Sequence, residues 1–255
     1  MNMVILGSGN IASHLGKAFH AQGHRILQVY SRNKANAHAL ASVLNADAVD
    51  TVKEITDGAD LYFIAVADQA IAEVVDQLSF TSTATVVHCS GATDIAVLNR
   101  FPFRGVIYPV QSLNKDVETT LRNIPFGVEG NNRETTTLLL TLMRDISPQS
   151  FICSSKQRLA LHVAAVFANN FSNALFQIAY DILEEHNLPF DLLKPLILET
   201  AQKVQQQVPK AVQTGPSKRG DTKTIEKHLE FISKNQHWLK IYQQLSEEIA
   251  KNTDL

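Results

Sequence analysis

Residues 3–15 read "MVILGSGNIASHL". The apolar run Met3–Leu6 is short and ends on a glycine turn, as a buried strand does. From Ile11 onward the apolar residues change period. Ile11, Leu15, Ala18 and Phe19 recur at helical spacing until Gly23 stops the pattern. Between strand and helix lies "GSGNIA" (7–12), a match to G-x-G-x-x-A in the strand–turn–helix context that gives this motif its meaning. Gly7 allows the tight turn, Gly9 lets the backbone approach a pyrophosphate, and Ala12 permits close helix–strand packing. Ser8, Asn10 and Ile11 complete the loop, and the helix N-terminus presents free N–H groups and positive dipole to phosphate.

The next strand, "RILQVYS" (25–31), ends without the Asp or Glu that binds ribose hydroxyls roughly 20 residues past the glycines in NAD sites. Ser31 and Arg32 stand there instead. A carboxylate would repel a 2′-phosphate, whereas a hydroxyl and a guanidinium bind it. The expected cofactor is therefore NADP (NADPH). The same feature disfavours a methyltransferase, whose G-x-G loop is normally followed by an acidic ribose ligand.

Outward from this unit the chain divides in two. Strand-like segments at 3–7, 25–31, 60–66, 84–91, 105–110, 124–130 and 149–154 alternate with helical patterns, which predicts an α/β fold with a doubly wound parallel Rossmann sheet over residues 1–153. Beyond it, helical patterns at 155–186, 191–207, 221–234 and 238–252 predict an all-helical C-terminal domain, 154–255, with "QTGPSKRGD" (213–221) as its one clear loop.

Composition narrows the partners. A net charge of −2 gives no electrostatic case for nucleic acid or an anionic membrane. No apolar run approaches the roughly 18 residues needed to span a bilayer. Cys89 and Cys153 form no CxxC pattern, and the N-terminus lacks a basic n-region and a cleavage signal, so a reducing cytoplasmic setting is expected.

In a doubly wound sheet the ligand lies beyond the carboxyl ends of the strands. "AVAD" places Ala65, Val66 and Ala67 beside the cofactor, with Asp68 near the nicotinamide ribose. "HCSGA" offers the Ser90 hydroxyl to cofactor or substrate and the Gly91 N–H to substrate, while Cys89 reads as a buried, inert thiol. Tyr108 follows the next strand as a substrate-facing group. The remaining candidates interrupt the apolar helix "RLALHVAAVFANNF" (158–171). At about 100° per residue, His162, Asn169 and Asn173 form one polar line, with Asn170 about 80° round. Imidazole suits proton donation near neutral pH, so His162 and Asn169 are the candidate catalytic pair and Asn170 and Asn173 candidate substrate contacts. Arg219, in "TGPSKRGD", is placed to meet an anionic substrate group. No second ligand stands at metal-binding spacing beside His162, so no metal is expected.

"GSGNIASHL", "VYSR", "AVAD", "VVHCSGA", "YPVQSL", "LHVAAVFANNF" and "TGPSKRGD" together resemble the bacterial Rossmann-like NADP-dependent oxidoreductases that carry a helical C-terminal domain of unknown function. The layout is more distantly similar to pyrroline-5-carboxylate reductase, the deazaflavin-dependent NADP reductase and the β-hydroxyacid dehydrogenases. The resemblance implies the fold and cofactor of an NADP(H)-dependent oxidoreductase and a homodimer formed through the helical domain. The cofactor motif together with the polar groups placed to face the cleft adds the expectation of hydride transfer to or from a small carbonyl or imine substrate that carries a carboxylate. It departs from the β-hydroxyacid dehydrogenases where those have a catalytic lysine followed one turn later by Asn; this chain has His162 and Val166. The alternative is a non-catalytic NADP-binding sensor or interaction protein.

Overall fold

A computed structural model describes residues 1–79 and 83–251. Its contacts divide the chain into two compact units, Met1–Ala168 and Asn169–Leu255.

The first unit is built on an eight-stranded sheet: β1 Asn2–Leu6, β2 Arg25–Tyr30, β3 Asp47–Val49, β4 Leu61–Ile64, β5 Thr85–His88, β6 Phe103–Pro109, β7 Phe126–Gly130 and β8 Phe151–Ile152. The spatial order is β3-β2-β1-β4-β5-β6-β7-β8. Helices α1 (Asn10–Ala21), α2 (Lys34–Leu44), α3 (Ile71–Gln77) and α4 (Arg133–Ile146) connect or flank the strands. The alternation of β1 shows why both faces must be covered. Met3 and Ile5 join one core cluster, Val4 and Leu6 the other, and all four are fully buried. The strand order reverses between β1 and β4, which opens a crevice at their carboxyl ends.

The sheet differs from the sequence expectation in two places. The short edge strand β3 was not expected; it follows Asn45, whose left-handed conformation (φ 51°) ends α2. β7 runs antiparallel to β6, with Tyr108 opposite Gly127 and Val106 opposite Glu129. Parallel pairing needs a crossover that returns the chain to the start of the sheet. Residues 110–125 supply only a single 3₁₀ turn, Leu121–Asn123, so the chain doubles back.

The long helix expected over 155–186 begins as α5 (Ser155–Ala165) and belongs to the first unit at its start. The compact unit therefore extends past residue 153, because α5 is tied to the sheet by the polar contacts described below. Val166–Phe171 wind as a π-helix, and α6 (Ser172–Glu185) follows. By length and composition Ser155–Glu185 is apolar enough to cross a membrane. His162, Asn169, Asn170 and Asn173 still interrupt any continuous apolar run along it.

The second unit continues with α7 (Lys194–Gln206), α8 (Pro209–Val212), α9 (Pro216–Arg219), α10 (Thr222–Phe231) and α11 (Gln236–Lys251). The expected end of the last helix at residue 252 lies outside the described residues. The stretch expected as an open loop holds α9, bracketed by Gly215 (φ 110°) and Gly220 (φ 65°). Within residues 169–251 no residue is buried in the single chain.

Candidate functional site

The crevice between β1 and β4 is shaped by what its glycines lack. Gly7 has φ 130°, and a Cβ there would collide with the Ala65 carbonyl. Its N–H donates to the Tyr30 carbonyl at 2.8 Å, which holds the tips of β1 and β2 together. Gly9 has nothing within 4 Å of where a Cβ would stand. No side chain caps α1 at Gly9, so its first N–H groups remain available to an anion. Ala12 is fully buried against the sheet, as the motif requires.

The Ser8 hydroxyl donates to Ser31 Oγ at 2.9 Å, and Ser31 also accepts the Asn33 N–H at 3.3 Å. Arg32 is exposed beside them. Gly7, Ser8, Gly9, Ser31, Arg32, Ala65, Val66 and Ala67 line one cavity of about 330 Å³. Asn10 and Ile11 do not: the Asn10 side chain accepts the Lys115 N–H at 3.1 Å, and Ile11 packs against the core. An open glycine, an uncapped helix start and a basic residue at the end of β2 fit a dinucleotide bearing a 2′-phosphate.

The second half of the site lies where β5, β6 and α5 meet. The His162 ring rests against Gly91, where a Cβ would stand 2.7 Å from its Cγ and Nδ1 and 2.8 Å from Tyr108 Cε2. Only glycine admits that approach. Tyr108 Oη lies 3.1 Å from His162 Nδ1, and the rings meet edge-on with centroids 5.9 Å apart. Burial raises the Tyr108 hydroxyl above its ordinary pKa, against the lowering effect of the Arg158 charge.

Ser90 has an internal role. Its hydroxyl donates to Asp68 Oδ2 at 2.7 Å and accepts the N–H groups of Ala92 and Thr93. The single hydroxyl proton is thus directed to Asp68. Cys89 is buried, and its thiol is pushed up to about 12 by burial and then by the Asp68 charge, which makes it inert. His88 is fully buried and accepts the Ser90 N–H at Nδ1. Burial, aided by the Arg158 charge, pushes it down to about 4, so it stays neutral.

Sequence reasoning missed the group that holds α5 in place. Arg158 is 1% exposed and donates from Nη1 to Glu129 Oε2, and from Nη2 to the Thr93 carbonyl (2.6 Å) and Ser155 Oγ (3.1 Å). The Glu129 carboxylate also accepts the Ser155 N–H and hydroxyl at 2.9 and 2.8 Å. The available signal was an arginine opening an otherwise apolar helical stretch.

The remaining candidates belong to the second unit. Asn169 and Asn170 are exposed residues of the π-helical turn, Asn173 is exposed on α6, and Arg219 is the exposed last residue of α9. The spacing of about 100° per residue that aligned Asn169 and Asn173 with His162 fails across a π-helix, whose i→i+5 bonds give a wider turn. Asp221 caps α10 by accepting the Thr224 N–H at 3.1 Å and hydroxyl at 2.7 Å. These bonds hold its carboxyl below the ordinary range.

Comparison with known proteins agrees with this geometry. The family model described as NADP oxidoreductase coenzyme F420-dependent matches residues 2–90, and a domain of unknown function (DUF2520) matches residues 124–249. A Bacteroides fragilis protein provisionally assigned as an NADP oxidoreductase is 36% identical, with 98% of each chain covered and a TM-score of 0.89. An imine reductase from Myxococcus stipitatus, solved with NADP+, is 15% identical over 98% of this chain and 92% of its own, with a TM-score of 0.65. The pyrroline-5-carboxylate reductase of Streptococcus pyogenes is 14% identical over 100% of this chain and 99% of its own, with a TM-score of 0.64. The last two likenesses are of fold alone. No curated protein matches the chain.

The Arg32 placement makes a measurable prediction. Titration followed by nicotinamide fluorescence should show preference for NADPH over NADH. Arg32→Ala should weaken NADPH binding by about tenfold, the loss of one charge-assisted contact of roughly 1.5 kcal/mol, and leave NADH binding unchanged. Equal loss for both cofactors would contradict a 2′-phosphate contact.

Proposed function

Because the chain belongs to the NADP oxidoreductase family in which a Rossmann domain precedes a helical domain of unknown function, we propose that it reduces, or forms by oxidation, a small carbonyl or imine compound carrying a carboxylate. Bound NADPH supplies the hydride. The observation that carries the reading is the His162 imidazole, seated on Gly91 with its Nδ1 at the Tyr108 hydroxyl.

Reduction of a carbonyl or imine leaves an oxygen or nitrogen that must gain a proton, and His162 is the group for that work. Tyr108 keeps its proton because burial raises its pKa. Its hydroxyl hydrogen-bonds Nδ1, and a ring protonated on both nitrogens presents Nε2–H to the substrate and returns to neutral when that proton is transferred. The names of the imine reductase and the pyrroline-5-carboxylate reductase support a cyclic imine acid as the first probe.

Pyrroline-5-carboxylate and unsubstituted pyrroline, assayed by loss of NADPH absorbance, test this proposal. His162→Ala should lower kcat on the active probe by about 10²–10⁴-fold with NADPH affinity preserved. Turnover untouched by that substitution would remove His162 from the chemistry. NADPH binding without turnover of any carbonyl or imine would favour the sensor reading.

We further propose that the protein is a homodimer formed through the helical unit. Phe171, Leu192, Leu196, Leu198 and Val208 are each 49–69% exposed, and no described residue of 169–251 is buried. Helices whose apolar faces remain open in one chain are stabilised by covering them, and a second copy supplies a matching surface. Sedimentation at micromolar concentration should give the dimer mass; a monomer would contradict the proposal.

A further inference from the structure

We infer that Glu129, Ser155 and Arg158 form a positioning network that sets the depth and rotation of α5 and thereby holds the His162 ring against Gly91 and Tyr108. This rests on the reading of His162 given above, but it makes its own claim about how the ring is held.

The geometry begins on the sheet. Tyr108 pairs with Gly127, and Glu129 lies two residues further along β7. Side chains alternate along a strand, so Glu129 and Tyr108 project from the same face. Two residues of antiparallel strand span about 6.8 Å. On α5, Arg158 and His162 are four residues apart, an axial rise of about 6 Å on the same side of the helix. The two intervals match: Arg158 meets Glu129 while His162 meets Tyr108.

Each end of the match is fixed. The Ser154 and Gln157 capping box starts α5 at a defined residue. The Glu129 carboxylate takes both the N–H and the hydroxyl of Ser155, and Ser155 Oγ in turn accepts the Ile95 N–H at 3.1 Å. Arg158 adds the Thr93 carbonyl. Thr93 and Ile95 belong to the segment after β5 that also contains Gly91, and Ser90 binds the Thr93 N–H. The network thus grips the helix carrying His162 and the loop on which His162 rests. A guanidinium with 1% exposure has no freedom to move with solvent, so α5 cannot turn without breaking a buried ion pair.

The test reads the ring itself. In full-length protein with labelled histidine, nitrogen NMR at a pH where the ring is neutral should show His162 in a single tautomer, set by the Tyr108 hydrogen bond at Nδ1. Glu129→Gln and Arg158→Met should give a mixture of both tautomers with NADPH affinity unchanged. Arg158→Lys, which keeps the charge and one donor, should restore part of the single-tautomer signal. On the active probe substrate, Glu129→Gln should lower kcat by about tenfold or more, as displacement of a reacting group does, and cause no further loss when combined with His162→Ala. Should Arg158→Met fail to fold, Glu129→Gln and Ser155→Ala carry the test. An unaltered tautomer in Glu129→Gln, or additive losses in the double variant, would overturn the inference. Turnover untouched by His162→Ala alone would instead overturn the catalytic reading and leave the tautomer result standing.

Discussion

Gly7 has no side chain because the carbonyl of Ala65 occupies the space one would take. That close approach occurs where the strand order reverses, and the rest of the structure is arranged around it. It lets β1 end beside β4 and turn at once into α1, so the open start of the helix faces the crevice. The same turn brings Ser8 to Ser31, and with it the end of β2 that carries Arg32. The choice of cofactor therefore follows from backbone contact between two strands together with one basic residue at the tip of a third.

A second close approach governs the other half of the site. Gly91 lets an imidazole lie on the loop after β5, and a buried ion pair one helical turn away holds the helix that carries it. The two devices differ in energetic character. The glycine contact removes a steric obstacle. The Arg158–Glu129 pair is weak evidence for net stability, because desolvating both ions offsets their attraction. Its effect is on specificity of position: losing Glu129 would leave the Arg158 charge buried without a counter-charge.

Much of this was legible in the sequence because it is local. "GSGNIA" between a strand and a helix, "YSR" at the next strand end and the apolar strand 60–66 carry their meaning within a few residues, and the structure places them around one cavity. His162 stood out as a polar residue on an apolar helix, and Tyr108 as a residue at a strand end. The Glu129–Arg158 pair was not legible, because residues 29 apart meet only through the antiparallel register of β7. The polar line through Asn169 and Asn173 assumed one helical period, and a π-helical turn breaks it. The bond from Ser90 to Asp68 was not legible either, because Asp68 sits 22 residues earlier on another loop. The apolar length of Ser155–Glu185 emerged only once the helix was seen to be continuous in spite of its polar residues.

The most direct test of the account is the distance from His162 Nε2 to the nicotinamide C4 in a crystal structure of the NADP+ complex. A proton donor one substrate atom away from the hydride centre requires about 7 Å or less, the sum of a hydrogen bond, a carbonyl or imine bond and a near-attack contact. We predict that distance, with Nε2 turned toward the open face of the ring. A separation beyond about 10 Å, or a ring with Nε2 turned into the protein, would contradict it.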